Sequence, residues 1–223
     1  KTIEEITYTA NVPVYMSYSD LRSAVKSEVV KTLTNTGKIY FKDNFIFISD
    51  RYKGVHIINN INPSAPQNIG YINIPGNVDI AIKGDILYAG SYTDLVAIDV
   101  SNFANVKETG RVPDVFQYSI PETYNKNYPV DEINKEKGVV VSWKIEKVTK
   151  IRDVEEPYYN NGQYGNEDGI KFNSSSSSSS PKDVIVTAGI GGSMAAFTLY
   201  NNYLYALSEQ RFLKVFDILN MAV

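Results

Sequence analysis

Gly54-Val55-His56-Ile57-Ile58-Asn59 and Asp94-Leu95-Val96-Ala97-Ile98-Asp99 are two copies of one pattern, set 40 positions apart. The same offset carries Tyr52 onto Tyr92, Asn62 onto Asn102 and Gly70 onto Gly110. Upstream, Asn44-Phe45-Ile46-Phe47-Ile48 falls on Asp85-Ile86-Leu87-Tyr88-Ala89 with an offset of 41, so the first copy holds one extra residue, assigned to Arg51. A third copy stands near the end. There Asn202-Tyr203-Leu204-Tyr205-Ala206 repeats the first run and Phe212-Leu213-Lys214-Val215-Phe216-Asp217 the second. A fixed period marks a repeat architecture, in which each unit buries its apolar faces against its neighbours.

Each copy predicts four short strands. In the second copy an apolar strand over 78–82 meets the turn Lys83-Gly84-Asp85, and strands over 86–89 and 95–100 follow. A turn at Ser101-Asn102 leads to a weaker strand over 108–112. Such short connections suit antiparallel neighbours, because parallel strands need a crossover of about a dozen residues or more. No helical crossover is predicted between them, so a doubly wound α/β fold does not fit. Phe45-Ile46-Phe47-Ile48 and Tyr203-Leu204-Tyr205-Ala206-Leu207 are apolar throughout, the pattern of strands covered on both faces. Four strands per unit, packed between like units, describe the blade of a β-propeller. The expected fold is all-β: a β-propeller of four-stranded blades with a short N-terminal helix, incomplete within this chain.

The run Leu95-Val96-Ala97-Ile98-Asp99-Val100-Ser101-Asn102 resembles the core motif of the bacterial LVIVD-repeat family, Leu-Val-Ile-Val-Asp followed by Ile-Ser-Asp-Pro. Val55 to Pro63 and Leu213 to Asn220 are looser copies, and Lys83-Gly84-Asp85-Ile86-Leu87-Tyr88 fits the family's turn and strand. The likeness covers residues 37–118 well and 191–220 acceptably. It implies propeller blades and an exported protein or lipoprotein. It assigns no catalytic residue.

The expected units are 1–36, an N-terminal strand and helix packed on the propeller, and the blades of 37–223. These blades fall at 37–76, 77–112, a degenerate 113–190 with long loops, and an incomplete 191–223. Ser17-Tyr18-Ser19-Asp20 resembles a capping box, with Leu21, Ala24 and Val25 at helical spacing behind it. Thr2 to Thr9 reads as an outer strand. Gly138 to Val148 reads as a strand of the degenerate blade, and 119–136 and 152–181 as long insertions rising from it. The serines of 174–180 form a linker, lacking apolar area to offset ordering entropy. The chain stops after the third strand of its last repeat. Either it belongs to a larger protein, or Thr2 to Thr9 closes the ring.

Composition narrows the partners. A net charge of −3 leaves no basic footprint, so nucleic acid is not expected. Cysteine is absent, which removes disulfides and thiolate metal sites. No run approaches the roughly 20 apolar residues of a membrane helix, so membrane association is expected only through a lipid anchor outside this chain. The first residue is Lys1, compatible with a removed signal peptide or a trimmed domain boundary.

Candidate chemistry is sparse, and no cofactor or metal is expected. His56, the sole histidine, occupies a position held by Val96 and Lys214 in the other copies, and reads as structural or solvent-facing. A Ser-His-Asp triad would have to use it, yet no G-x-S-x-G elbow accompanies it. Asp50, Asp79, Asp94 and Asp99 recur at strand ends, where turn chemistry explains them and a carboxylate site is the sharper alternative. Asn160 to Gly169 lacks the regular spacing and distal Glu of a calcium loop. Gly189-Ile190-Gly191-Gly192 lacks the Lys-Ser/Thr of a phosphate loop. Tyr158, Tyr159 and Tyr164 are the candidate binding residues, offering apolar area plus a hydroxyl to a partner or else pinning their own loop.

The expectation is a non-enzymatic extracytoplasmic scaffold, outer membrane-associated or at the cell surface, presenting loops to a protein partner in an envelope assembly. The alternatives are a glycan-binding module, or a hydrolase or lyase with a carboxylate site at the propeller mouth.

Overall fold

In the computed structural model, which describes residues 2–154, 197–208 and 212–219, the chain enters through β1 (Thr2–Met16) and the helix α1 (Tyr18–Arg22). The first sheet holds β2 (Lys26–Glu28), β3 (Thr36–Lys42), β4 (Phe45–Asp50), β5 (Gly54–Asn59) and β6 (Gln67–Asn73), in the order β2-β6-β5-β4-β3. The middle sheet holds β7 (Ile80–Lys83), β8 (Ile86–Ser91), β9 (Asp94–Asp99) and β10 (Lys107–Val112), each paired with the next. After β11 (Val139–Val154) comes the third sheet, β12 (Phe197–Tyr200), β13 (Tyr203–Ser208) and β14 (Phe212–Asp217). Among the described residues all strand pairs are antiparallel.

The repeat is kept in backbone detail. Strands β3 and β4, β7 and β8, and β12 and β13 each join through two residues, the leading one at positive φ: Asp43 at 52°, Gly84 at 55° and Asn201 at 51°. Gly, Asn and Asp tolerate that region best. At the end of each third strand, Asn59, Asp99 and Asp217 accept the amide two residues on, at 3.0, 2.8 and 3.0 Å. The amides of Asn60, Val100 and Ile218 reach back to the carbonyls of Asn44, Asp85 and Asn202. The β5–β6 ladder skips a residue just before Gly70, and the β9–β10 ladder does so just before Gly110. One bulge is thus inherited by both copies. Asp50 pairs with Gly54 but Ser91 with Asp94, which places the extra residue of the first copy in the β4–β5 turn.

The sheets stack face to face. Call the face of each sheet toward the preceding sheet its leading face, and the other its trailing face. The middle sheet's leading face (Ile80, Ile82, Leu87, Ala89, Val96, Ile98) packs on the first sheet's Phe47, Val55, Ile57 and Ile72. Its trailing face (Ala81, Tyr88, Leu95, Ala97) packs on Val115 and the third sheet's Phe197, Leu204 and Ala206. Burying each such Leu or Ile contributes about 2 kcal/mol. β7 lies beside both β3 and β12, tied by Tyr40 Oη donating to the Ile82 carbonyl at 2.9 Å.

Burial on both faces holds for β8 but not for the two strands read that way from sequence. Residues alternate in β13, and in β4 Ile46 and Ile48 are half-exposed. Only the middle sheet has a neighbour on each side among the described residues.

The second correction concerns β1 and β11. Gly138 to Val148 does not form a strand of a degenerate blade. β11 pairs with β1 from Met16↔Val139 to Thr2↔Val154, making a two-stranded ribbon outside the three sheets. Thr2 to Thr9 therefore closes no sheet. The expected helix does form: Ser17 caps it, its Oγ accepting from the Asp20 amide at 3.0 Å. Leu21 from that helix, Tyr92 and Val139 make a small core at the ribbon root. The connection over 113–138 packs along the ribbon rather than rising freely. Trp143 Nε1 donates to the Pro121 carbonyl, and the Asn11 side-chain amide donates to the Asn125 and Tyr128 carbonyls.

Candidate functional site

A cleft of about 450 Å³ lies where the ribbon root meets the β4–β5 turn and β6. Met16 and Val141 supply its ribbon wall, Tyr52 and Tyr92 its floor turns, and Lys31, Thr34 and Lys53 a polar rim around Asp50 and Tyr71. Tyr52 and Tyr92 are repeat partners, both at positive φ (64° and 52°). The turns that carry them are thereby aimed alike. Gly76 completes this geometry: with φ at 77°, a Cβ there would lie 2.4 Å from the Tyr92 amide nitrogen.

Asp50 anchors the cleft. Its carboxylate accepts from Thr34 Oγ1 at 2.9 Å and from the Asn35 amide at 3.0 Å, and His56 Nε2 lies 3.4 Å away. Burial alone would raise this carboxyl, but the bonds from Thr34, Asn35 and His56 outweigh it and hold it below the ordinary value. His56 is enclosed, edge-on to Tyr71 with ring centroids 4.8 Å apart. A proton on Nε2 satisfies both sides, since Nδ1 then accepts from the Asn68 amide at 3.3 Å; this tautomer is assigned from the hydrogen-bond network. The structural reading of His56 holds, and the solvent-facing one does not. Thr34, the hydroxyl beside Asp50, bonds the carboxylate and not the imidazole. No base-activated nucleophile is assembled there.

The rim cations are engaged but accessible. Lys31 pairs with Glu28 and stands 4.4 Å from the Tyr71 ring centroid, and Lys53 Nζ donates to Thr34 Oγ1 at 2.6 Å. Burial pushes the Tyr71 and Tyr92 phenols up, keeping both neutral. A neutral aromatic floor with cations and one shielded carboxylate suits recognition of polar or aromatic groups.

The turn reading of the recurring aspartates holds for Asp99 and fails for three others. Asp50, Asp79 and Asp94 are buried and tie distant segments together. Asp94 Oδ2 takes Arg111 at 2.9 Å and Arg22 at 3.1 Å, joining the helix to the middle sheet. Burial would raise Asp94, yet Arg111, Arg22, Thr93 and the Asp114 amide hold it low. Asp79 meets Lys38 Nζ at 2.9 Å and the Phe197 amide at 2.7 Å, linking the edge strands β3, β7 and β12 of the three sheets. There burial prevails and the carboxyl is raised. Arg22, Lys38 and Arg111 carry no sequence signal for these roles, being surface-type residues whose partners are remote in the chain.

Tyr158, Tyr159 and Tyr164 lie outside the described residues, as do Asn160 to Gly169 and Gly189 to Gly192. Among the described residues no group of three or more His, Asp or Glu is placed to hold a metal, and no helix is long and apolar enough to cross a membrane.

The model of the LVIVD repeat matches residues 76–114. No curated protein and no solved structure matches the chain significantly. The matched segment is the middle sheet with its flanking turns, and the motif's aspartate is Asp99, the residue that closes the turn after β9. This segment is similar to an LVIVD repeat, and its likeness to the sheets on either side is the internal one described above.

Proposed function

We propose that the three sheets are blades of a β-propeller and that the protein is a non-enzymatic scaffold presenting the ribbon, its root cleft and the 155–196 segment to a protein partner. The carrying observation is the ribbon. It continues well past its packed root, and Ile3, Ile145 and Ile151 along it are 65%, 47% and 73% exposed. Apolar residues held in the open on a paired strand are a common form of protein-recognition surface. Support for the propeller comes from the side-by-side placement of β3, β7 and β12 and from the LVIVD match. An extracytoplasmic place in a bacterial envelope assembly is the setting that the family resemblance implies. Tyr158, Tyr159 and Tyr164, which follow the ribbon closely in sequence, are proposed to contribute to binding the same partner.

The test is capture of partners from envelope extract with the intact chain and with Ile145→Glu/Ile151→Glu. A stoichiometric protein partner lost in the double variant supports the reading. Retention of that partner overturns the ribbon as the binding surface, and sugar-array binding centred on the Tyr52 and Tyr71 cleft overturns the reading in favour of a glycan-binding module. Tyr158→Ala with Tyr159→Ala is expected to weaken the same capture without lowering the thermal midpoint.

A further inference from the structure

Two tyrosines that line the root cleft are enclosed with their hydroxyls unspent. Tyr40 and Tyr118 elsewhere donate theirs to the Ile82 and Gly138 carbonyls. Tyr71 is 2% exposed and Tyr92 6%, yet neither hydroxyl has a hydrogen-bond partner among the described residues. A buried phenol normally has one. Neither oxygen is among the sealed polar atoms that lack a partner. Each therefore keeps an opening, and the cleft is what these side chains border.

The Tyr71 hydroxyl is firmly placed. Its ring stands edge-on to His56, and Lys31 lies over it. A Cβ at Gly54 would come within 2.8 Å of its oxygen, so that glycine leaves the room the hydroxyl occupies. Lys53 precedes Gly54 in the same turn and is exposed, and its Nζ spends one donor on Thr34 and keeps two. The neighbouring carboxylates are already engaged. Asp50 is filled by Thr34, Asn35 and His56, and Glu28 by Lys26 and Lys31. Lys26, Lys31 and Lys53 set against Glu28 and Asp50 leave one positive charge over. Met16, Val141 and the Tyr52 ring add apolar lining. Unspent donors and a surplus cation beside such lining call for a charged acceptor on an apolar body. The volume of about 450 Å³ lies within the range of about 300–1,000 Å³ for small-ligand sites.

We infer that the root cleft binds a carboxylate carried on an apolar body about the size of one aromatic ring. The carboxylate is taken by the Tyr71 hydroxyl and Lys53, and the body rests on Tyr52, Met16 and Val141. This rests on the recognition role proposed above for the cleft and is independent of what the ribbon binds.

Calorimetric titration of the whole chain with N-acetylphenylalanine, and with its amide, tests the site. Saturable binding of the acid is expected, with the amide at least about tenfold weaker because it brings no charge to Lys53. Tyr71→Phe removes a hydroxyl that holds nothing within the fold. It should weaken the acid about tenfold and leave the thermal midpoint unchanged. Lys53→Gln, at an exposed position, should act alike. Ile145→Glu/Ile151→Glu should bind the acid as the unaltered chain does, so loss of the ribbon's partner and loss of the cleft's ligand are read separately. A longer peptide ending in the same phenylalanine that competes as well as the free acid identifies a partner's C terminus as the source of the carboxylate. Exclusion of that peptide identifies a free acid. Equal affinity for acid and amide, no saturable binding, or indifference to both substitutions overturns the assignment.

Discussion

The middle and third sheets are built from one sequence pattern and live in different surroundings. Leu95 and Leu213 hold the same place in the third strand of the repeat, yet one is enclosed between two sheets and the other faces outward. A repeat unit specifies which residues point to each face, whereas its stability depends on whether that face has a neighbour.

The comparison is broken or sharpened by substitutions at paired positions. Leu95→Ala is expected to destabilise the chain by about 3 kcal/mol, the range for a leucine truncated in a closed core, measured by urea unfolding of the whole chain. Asp94→Asn should cost about 2 kcal/mol at neutral pH, since Arg22 and Arg111 lose the buried carboxylate they share and Arg111 keeps only Glu108. The pH dependence has a definite sign. A carboxyl held below its ordinary value contributes stability that is fully present above about pH 4 and is lost as pH falls through the depressed value. Asp94→Asn should therefore flatten the acid limb of the stability curve, which a series of unfolding curves below neutrality would reveal. Asp79 works in the opposite sense: its raised value imposes a cost at neutral pH that acid relieves. Leu213→Ala should change monomer stability by no more than about 0.5 kcal/mol; a loss as large as that of Leu95→Ala would show that its face is covered in solution. Smallest of all is Gly84→Asn, expected within a few tenths of a kcal/mol. Asp43 and Asn201 already hold that turn geometry, and a Cβ at Gly84 meets nothing within 4 Å.

What the sequence discloses follows from what is local. The four-strand unit, the extra residue of the first copy and the cap at Ser17 are legible because each involves neighbours a few positions apart. The pairing of β1 with β11 is not. Gly138 to Val148 reads correctly as a strand, but nothing within a strand names its partner, and the nearest repeat frame claims it wrongly. Asp50, Asp79 and Asp94 are misread for a related reason. A carboxylate at a strand end looks the same whether it bonds its own turn, as Asp99 does, or receives an arginine from another part of the fold. Their roles were set by Thr34 and Asn35 for Asp50, by Lys38 for Asp79, and by Arg22 and Arg111 for Asp94, none of which stands out alone. The cleft at the ribbon root is invisible for both reasons at once, since its walls come from β1, β11 and two turns within the first and middle sheets.

The ribbon also orders events during folding. Every hairpin within the sheets closes a loop of a few residues, while β1 must wait for a partner whose first paired residue, Val139, lies far downstream of Met16. During synthesis β1 emerges ahead of the first two sheets but waits for β11, so both of its edges stay open while those sheets form. An unpaired strand of fifteen residues is a template for other nascent chains. Slow or crowded translation should be felt at β1 before the repeats themselves are at risk.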